Sequence, residues 1–423
     1  AVFSVWLWRV CRRAGTMIVH EGRRTVPWDF FILVAVLLTM FVVGVCWTAR
    51  YSPQSAAVTG NGRLTVPVVQ LNLSQKEKWD PANRGSIYRA LLDMTEQGML
   101  DLQNRALEQA VKNGAEASLD MPAWVIWPES SFPISTFYRD STGERFPNQD
   151  NVNFLSAEED YVQALRNGIC NFILLTGTDD IYLSDEGRVA RAYNCLTVFE
   201  GDYSTARPHA KAMLVPFGEY IPMRETFPFL EKAFEASAGT AMGLNYTPGR
   251  SSSPVPVPIR PGSSSTVGVI PLVCFEDVVG SWVRRFVRQE PQLMVNVTND
   301  GWFNRSCANE QHWRNAAFRC IELRRSMVRA ANTGVSVALA PNGAVIADLR
   351  DSSGSPFTRG VMAATLPVGC TEITLYAMLG DWAVLVCFLA FAVLLLRRIG
   401  AGKRVHGPVE DGVYRRSTGA TPR

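Results

Sequence analysis

The stretch VGVIPLVCFED, residues 267–277, decides the fold class. Its apolar run is rich in Val, Ile and Leu, as in a buried β-strand. The run delivers Cys274 into the acidic pair Glu276 and Asp277. In open α/β folds, functional side chains gather where a strand ends and a loop begins. We therefore expect a buried strand that carries a reactive cysteine at its end.

Similar runs recur along the chain and alternate with helical patterns. Further strands are expected at Thr65–Leu73, Trp124–Pro128, Phe172–Thr178, Cys195–Glu200, Leu293–Thr298 and Val335–Ala340. Apolar residues at helical spacing predict helices at Arg84–Lys112, Glu158–Arg166, Trp282–Arg288 and Gln311–Arg325. Strands that alternate with helices predict an α/β sandwich whose sheets are covered by helices.

Two stretches look inserted into this pattern. Residues 135–157 are polar and aromatic and contain Pro and Gly, and residues 249–265 (GRSSSPVPVPIRPGSSS) are low in complexity. Such compositions are typical of irregular segments, so we expect flexible loops there.

The composition argues against several classes of protein. The 423 residues carry a net charge of only +3 without a basic stripe, so a nucleic-acid partner is not expected. Nine cysteines at irregular spacing form neither a disulfide framework nor a zinc-ligand pattern. The four histidines contain no metal-binding spacing. We expect neither a metal nor another cofactor.

Two apolar segments predict membrane helices, at residues 28–48 and 376–396. Arginines precede the first segment and basic residues follow the second, so the positive-inside rule predicts cytoplasmic ends and an outward-facing domain at 60–372. Residues 1–27 are expected to hold the end of an earlier membrane helix and a basic loop, and 397–423 a basic tail. A chain that opens within a membrane helix would be a fragment that lacks earlier spans.

Three strand ends carry groups that suit one chemistry. VIWPES ends at Glu129 and Ser130, HAKAMLVPFGEY contains Lys211, and the opening stretch contains Cys274. Taken singly, each residue has a simpler explanation: a core cysteine, a turn glutamate and a solvated lysine. Together they supply a nucleophile, a base that accepts its proton and a cation that stabilises the anion formed.

The chain resembles the apolipoprotein N-acyltransferases of the nitrilase, or carbon–nitrogen hydrolase, superfamily. The matching words are VVQLN and KWD, WPES, KAMLVPFGEYIP, YTPG, VCFED, TNDGWF and the run QHWRNAAFRCIELRRSMVRAANTGVS. They span roughly residues 25–400. The resemblance implies a nitrilase-like α-β-β-α sandwich flanked by transmembrane helices.

The resemblance also implies roles for individual residues. Glu129 is then the general base, Lys211 the transition-state stabiliser and Cys274 the nucleophile. Supporting roles fall to Glu219, Glu276 and the residue after the nucleophile, which is Phe275 here where the family usually has Tyr. Trp79 is expected to help the lipid dock.

The implied reaction moves an acyl chain through a thioester on Cys274. The donor is a phospholipid such as phosphatidylethanolamine, and the acceptor is the N-terminal amine of a diacylglyceryl-cysteine lipoprotein. The implied location is the bacterial inner membrane, with the catalytic domain on the periplasmic side. We interpret residues 221–244, which include Phe227, Phe229 and Phe234, as a lipid-contacting lid; the alternative is an amphipathic helix packed on the domain.

Two other functions remain open from the sequence. A membrane-anchored amidase of the nitrilase superfamily would share the thioester and resolve it with water. A silent lipid-binding scaffold would keep the fold without the chemistry.

Overall fold

Two β-sheets form the core of the computed structural model, which describes residues 28–53, 62–113, 123–132, 135–145, 171–200, 206–223, 226–227, 229 and 245–403. The seven-stranded sheet has the order β13-β1-β2-β4-β5-β6, with β3 paired to β4. The six-stranded sheet has the order β12-β11-β10-β9-β8-β7. The strands of the first sheet are β1 Arg63–Gln70, β2 Trp124–Ile126, β3 Thr136–Arg139, β4 Ile173–Leu183, β5 Val189–Phe199, β6 Arg207–Ala210 and β13 Gly360–Pro367. Those of the second are β7 Val255–Pro258, β8 Thr266–Val273, β9 Gln292–Thr298, β10 Ser326–Ala331, β11 Val337–Leu339 and β12 Val345–Asp348.

Each sheet mixes parallel and antiparallel pairs. The parallel pairs run through the middle, β1–β2–β4 in one sheet and β8–β9–β10 in the other. Parallel strands end at a common edge, so their following loops meet there. This edge holds the residues that follow β2, β8 and β9.

Helices cover the outer faces of the sheets. The helices in the described part of the chain are α1 Trp28–Arg50, α2 Gln75–Trp79, α3 Arg84–Asn113, α4 Gly280–Val283, α5 Ala308–Leu323, α6 Leu375–Leu379 and α7 Trp382–Lys403. Of these, α3 packs on the seven-stranded sheet, and α4 and α5 pack on the six-stranded sheet. Short 3-10 turns lie at Pro81–Asn83, Cys274–Val278, Arg284–Phe286 and Asp300–Phe303.

Three apolar clusters define four layers. One cluster lies between the sheets and joins residues such as Val68 and Ile126 to Val269 and Val295. A second packs α3 on the seven-stranded sheet, and a third packs α4 and α5 on the six-stranded sheet. The order helix, sheet, sheet, helix confirms the predicted α/β sandwich.

Most of the expected strands and helices are present, with shifted ends. The predicted helix Gln311–Arg325 is α5, which begins at Ala308 and ends at Leu323, because Arg324 takes a left-handed conformation with φ 54°. The expectation of a flexible loop at 249–265 is wrong for Val255–Pro258, because these residues pair with β8 as an edge strand. A similar correction applies to Thr136–Arg139 within 135–157, since it pairs with β4. The helix expected at Glu158–Arg166 lies outside the described residues.

The two segments expected to cross the membrane are helical. The first is α1, and the second corresponds to α6 and α7. Within the described ranges, no helix combines the length and the apolar character needed to cross a bilayer. Residues 1–27 and 404–423 are not described. The chain divides into two compact units, Ala1–Ala377 and Met378–Arg423.

The core between the sheets gives a stability prediction. Leu293 of β9 is fully buried there. We expect Leu293→Ala to lower the free energy of unfolding by about 2–5 kcal/mol, because it removes apolar contacts and leaves a cavity. Leu107→Ala on α3, where the side chain is 39% exposed, should change it by about 0.5 kcal/mol or less. Chemical denaturation of both variants measures this, and equal losses would contradict the four-layer packing.

Candidate active site

The three predicted catalytic residues each follow a strand end. Glu129 comes three residues after β2, while Lys211 and Cys274 follow β6 and β8 directly. Glu129 and Lys211 are buried, and Cys274 is half-buried. Two residues therefore come from the seven-stranded sheet and the nucleophile comes from the other.

The backbone turns sharply at Cys274 and at Ser130, the residue after Glu129. Cys274 has φ 51° and Ser130 has φ 44°, a left-handed region that costs side-chain-bearing residues roughly 1–2 kcal/mol. Gly177 of β4 packs against the Ser130 turn, and a Cβ there would lie 2.3 Å from the Ser130 nitrogen. A glycine is needed at this place so that β4 can approach the Glu129 loop.

Glu276 joins the lysine and cysteine segments. Its Oε1 accepts hydrogen bonds from the main-chain N–H groups of Ala212 and Met213, at 2.8 and 3.1 Å. Its Oε2 accepts from the N–H of Val273 at 2.9 Å. One buried carboxylate therefore holds the residue before the nucleophile against the residues after Lys211.

Asn194 joins the glutamate and lysine segments. Its side-chain Nδ2 donates to Glu129 Oε1 at 2.7 Å, and its main-chain oxygen accepts from the Lys211 N–H at 2.8 Å. This residue of β5 was not identified from the sequence. Its only sequence signal is a polar residue within a mostly apolar strand.

Glu219 fixes the ammonium of Lys211. The Nζ of Lys211 donates to Glu219 Oε1 at 2.7 Å, while Glu219 Oε2 accepts from the N–H of Val215 at 2.8 Å. Burial alone would lower the pKa of Lys211. Nearby anionic groups, with Cys274 in its ionised form the largest and Glu129 next, raise it above its ordinary value instead. Lys211 therefore stays charged.

The nucleophile rests as a neutral thiol. The pKa of Cys274 is raised to about 12, because burial and, after it, the negative charge of Glu129 outweigh the opposing charge of Lys211. Burial also raises the pKa of Glu129, while Lys211 lowers it. A carboxylate whose pKa is raised is a better proton acceptor, so this environment favours Glu129 as a base for the thiol.

A second lysine belongs to the same site. Lys78 is buried, and its Nζ donates to the main-chain oxygen of Glu129 at 2.5 Å. Burial lowers its pKa to about 8, against the opposing charges of Glu129, Asp179 and Cys274. This role was not predicted from the sequence, because Lys78 stands in the charged run QKEKWD, a composition typical of a protein surface.

A buried ionic cluster supports the turn after Cys274. The imidazole of His312 lies 3.0 Å from an oxygen of Asp277 and 2.9 Å from one of Asp300. Arg329 contacts both carboxylates, at 2.5 Å and 2.8 Å. The cluster thus contains two basic and two acidic side chains, whose charges offset one another. Within the described residues, His312 therefore has a structural role in an ionic cluster. The sequence signal for this cluster was the single arginine, Arg329, in the apolar run SMVRAA.

The residues expected to bind the lipid are exposed. Trp79, Phe229 and Phe227 are 51%, 64% and 43% exposed, and Phe275 beside the nucleophile is 41% exposed. The rings of Phe227 and Phe229 lie 6.0 Å apart. Phe234 and most of the segment 221–244 lie outside the described residues.

Together these contacts join the segments that carry a cysteine, a buried carboxyl group and a fixed cation. Such a site suits acyl transfer through a covalent intermediate.

Curated relatives were found by sequence. The chain is 29% identical over 396 residues to an apolipoprotein N-acyltransferase of Bradyrhizobium diazoefficiens, covering 92% of this chain and 63% of the relative. It is 30% identical over 367 residues to one of Rhodopseudomonas palustris, covering 86% of this chain and 58% of the relative. The chain is a homologue of the apolipoprotein N-acyltransferases. It spans less than two thirds of the length of each of these two relatives.

Among solved structures, the chain is similar to a carbon–nitrogen hydrolase from Helicobacter pylori. The TM-score is 0.43 and the identity 12%, over 72% of this chain and 89% of that one. No family model matches the chain.

In this homologue of the apolipoprotein N-acyltransferases, the charge of Glu129 gives a titration prediction. Glu129→Gln removes a negative charge that raises the pKa of Cys274, so we expect that pKa to fall below about 12. A thiol is protonated below its pKa, so thiolate should then appear at lower pH. Ultraviolet thiolate absorbance, taken as the difference from the same protein with Cys274→Ser, measures the shift while the protein stays folded. An unchanged onset would mean that Glu129 is too far from the sulfur to act on it.

Proposed function

We propose that this chain is the catalytic part of an apolipoprotein N-acyltransferase. It transfers an acyl chain from a phospholipid, phosphatidylethanolamine in our proposal, to the N-terminal amine of a diacylglyceryl-cysteine lipoprotein. The observation that carries the proposal is the pair of buried bridges through Glu276 and Asn194 that join the segments of Cys274, Lys211 and Glu129. The similarity to curated apolipoprotein N-acyltransferases supports the choice of reaction.

In the first half-reaction, the sulfur of Cys274 attacks the ester carbonyl carbon of the phospholipid. The thiol proton passes to Glu129 as the carbon–sulfur bond forms. The ammonium of Lys211 stabilises the negative oxygen of the tetrahedral intermediate. The carbon–oxygen ester bond then breaks, and the departing lysophospholipid oxygen takes the proton from Glu129.

In the second half-reaction, the amine of the lipoprotein attacks the thioester carbon. Glu129 accepts a proton from the amine nitrogen, the carbon–sulfur bond breaks, and the proton returns to the sulfur of Cys274. The products are an amide and the free enzyme. Because the donor product leaves before the acceptor reacts, we expect ping-pong kinetics.

The lipid substrates require contact with a bilayer. We propose that the protein works at the bacterial inner membrane with the catalytic domain on the periplasmic side, and that the segments 28–48 and 376–396 anchor it. Large apolar side chains on α1 and α7, such as Phe41 and Leu396, are exposed, which supports lipid contact. Their basic flanks support the orientation.

A labelling experiment tests the reaction. Incubation with phosphatidylethanolamine that carries a radiolabelled acyl chain should give a hydroxylamine-sensitive adduct. Cys274→Ser should remove the adduct, and Lys211→Met should slow its formation by roughly 10²–10³-fold, because an oxyanion donor is lost. Gly360→Ala, a change in β13 whose added methyl group lies nearest to the Leu349 side chain, is the folding control.

The fate of the adduct separates acyl transfer from hydrolysis. Discharge by a diacylglyceryl-cysteine peptide but not by water supports the proposal. Rapid discharge by water would indicate an amidase-like hydrolase, and a wild-type protein that forms no adduct would contradict acyl transfer altogether.

The exposed rings near the site give a second prediction. We expect Phe229→Ser to slow acyl-enzyme formation from phospholipid vesicles by roughly tenfold while leaving a short-chain soluble ester unaffected, since only the vesicle substrate needs an apolar contact surface. Phe318→Ser on α5, where the ring is 55% exposed, is the matched control. Equal slowing with both substrates, or an equal effect of the control, would defeat the lipid-contact role of Phe229.

A further inference from the structure

A small cavity lies beside the Glu129 loop and takes no part in the mechanism described above. Its volume is about 80 Å³, room for several water-sized groups. Its walls include the buried Lys78, the carboxyl of Asp179, Ser130 and the guanidinium-bearing Arg84, with Trp79 at the exposed side. Ser130 follows the proposed base directly, so the cavity opens next to the reaction centre.

The carboxyl of Asp179 has only neutral partners. Its Oδ1 accepts from the hydroxyl of Tyr246 at 2.8 Å and from that of Ser130 at 3.4 Å. Among the described residues, no cationic nitrogen lies within 4 Å of it. Burial raises its pKa, and the hydrogen bond from Tyr246 and the charge of Lys78 only partly offset this effect. A cation supplied by a ligand would complete this environment.

Two positive groups, Lys78 and Arg84, line the same cavity. The Nζ of Lys78 is held by the main-chain oxygen of Glu129 and has further N–H donors. Arg84 is exposed and forms no ion pair with the part of the chain that the structure describes. An anionic oxygen would suit these two residues, while it would be repelled by Asp179.

One carboxylate and two cationic groups that line the same small cavity match a zwitterion better than a simple anion or cation. We propose that this cavity binds the head group of the acyl donor, with its primary ammonium on Asp179 and its phosphate on Lys78 and Arg84. The inference rests on the proposed function, since it identifies the part of the enzyme that selects a phosphoethanolamine head group. The acceptor amine carries an ammonium without a phosphate, so it matches only half of the cavity.

Head-group preference in the first half-reaction tests the proposal. Acyl-enzyme formation is measured in single turnovers with phosphatidylethanolamine and phosphatidylglycerol of matched acyl chains, in otherwise identical vesicles. The wild type should prefer phosphatidylethanolamine. Asp179→Asn should slow the reaction of phosphatidylethanolamine by roughly 10–100-fold at subsaturating lipid, through loss of a charge-assisted hydrogen bond, and leave phosphatidylglycerol unchanged. Arg84→Met should slow both lipids, because both contain the phosphate.

The neighbouring strand residue provides a matched control. Asp180 follows Asp179 in β4, and successive side chains of a strand point to opposite faces, so Asp180→Asn should leave the preference as it is. If Asp179→Asn does not fold, Tyr246→Phe removes the hydroxyl that holds the same carboxylate and should reduce the preference in the same direction. Thermal unfolding of each variant checks the fold.

The outcomes separate this inference from the proposed function. A wild type that forms no acyl-enzyme with either lipid contradicts acyl transfer itself. An acyl-enzyme that forms without head-group preference, or a preference that survives Asp179→Asn and Tyr246→Phe, overturns only the head-group site. An effect confined to discharge by the lipoprotein amine would also overturn it, because Asp179 would then serve the acceptor.

Discussion

The carboxylate of Glu276 is the interaction on which the site depends. It accepts three main-chain N–H groups, one beside Cys274 and two just after Lys211. The nucleophile and the lysine belong to different sheets, and the apolar contacts between those sheets are not directional. Hydrogen bonds are directional, so the three N–H groups fix the distance between the strand ends that packing alone leaves adjustable. Glu276 is fully buried, and losing one of these donors would leave a poorly solvated charge.

The centre balances charge so that the thiol stays neutral until a substrate arrives. Glu129 favours the protonated thiol by repulsion, whereas Lys211 favours the thiolate, and burial adds to the first effect. An approaching carbonyl changes this balance, because the negative charge moves from the sulfur toward an oxygen that Lys211 can stabilise. A permanently ionised cysteine would be oxidised or alkylated more readily. The buried arrangement therefore combines a low resting reactivity with a fixed cation for the transition state.

The sequence predicted the layers of the fold and the strand ends of the site because both depend on local apolar patterns. The run before Cys274 and the word WPES marked strand ends without any knowledge of pairing. Edge strands such as Val255–Pro258 were missed, since a proline-rich run becomes a strand only through its partner β8. Asn194 and Lys78 were missed for a related reason. Their roles depend on contacts with side chains and main-chain atoms that are distant in sequence. From the sequence alone, a polar residue in a strand or a lysine in a charged helix is more simply interpreted as a surface residue.

The buried ionic cluster of Asp277, Asp300, His312 and Arg329 explains why the turn at Cys274 can hold a left-handed conformation. Asp277 lies in the 3-10 turn that starts at Cys274, and it is tied to Arg329 of β10 and His312 of α5. Removing one member of a buried ion group leaves an uncompensated charge and typically costs about 3–5 kcal/mol. That cost exceeds the roughly 1–2 kcal/mol of strain at φ 51°, so the turn cannot relax without breaking the cluster. The turn that carries the sulfur is therefore held by the charges of the ionic cluster and by the hydrogen bonds of Glu276.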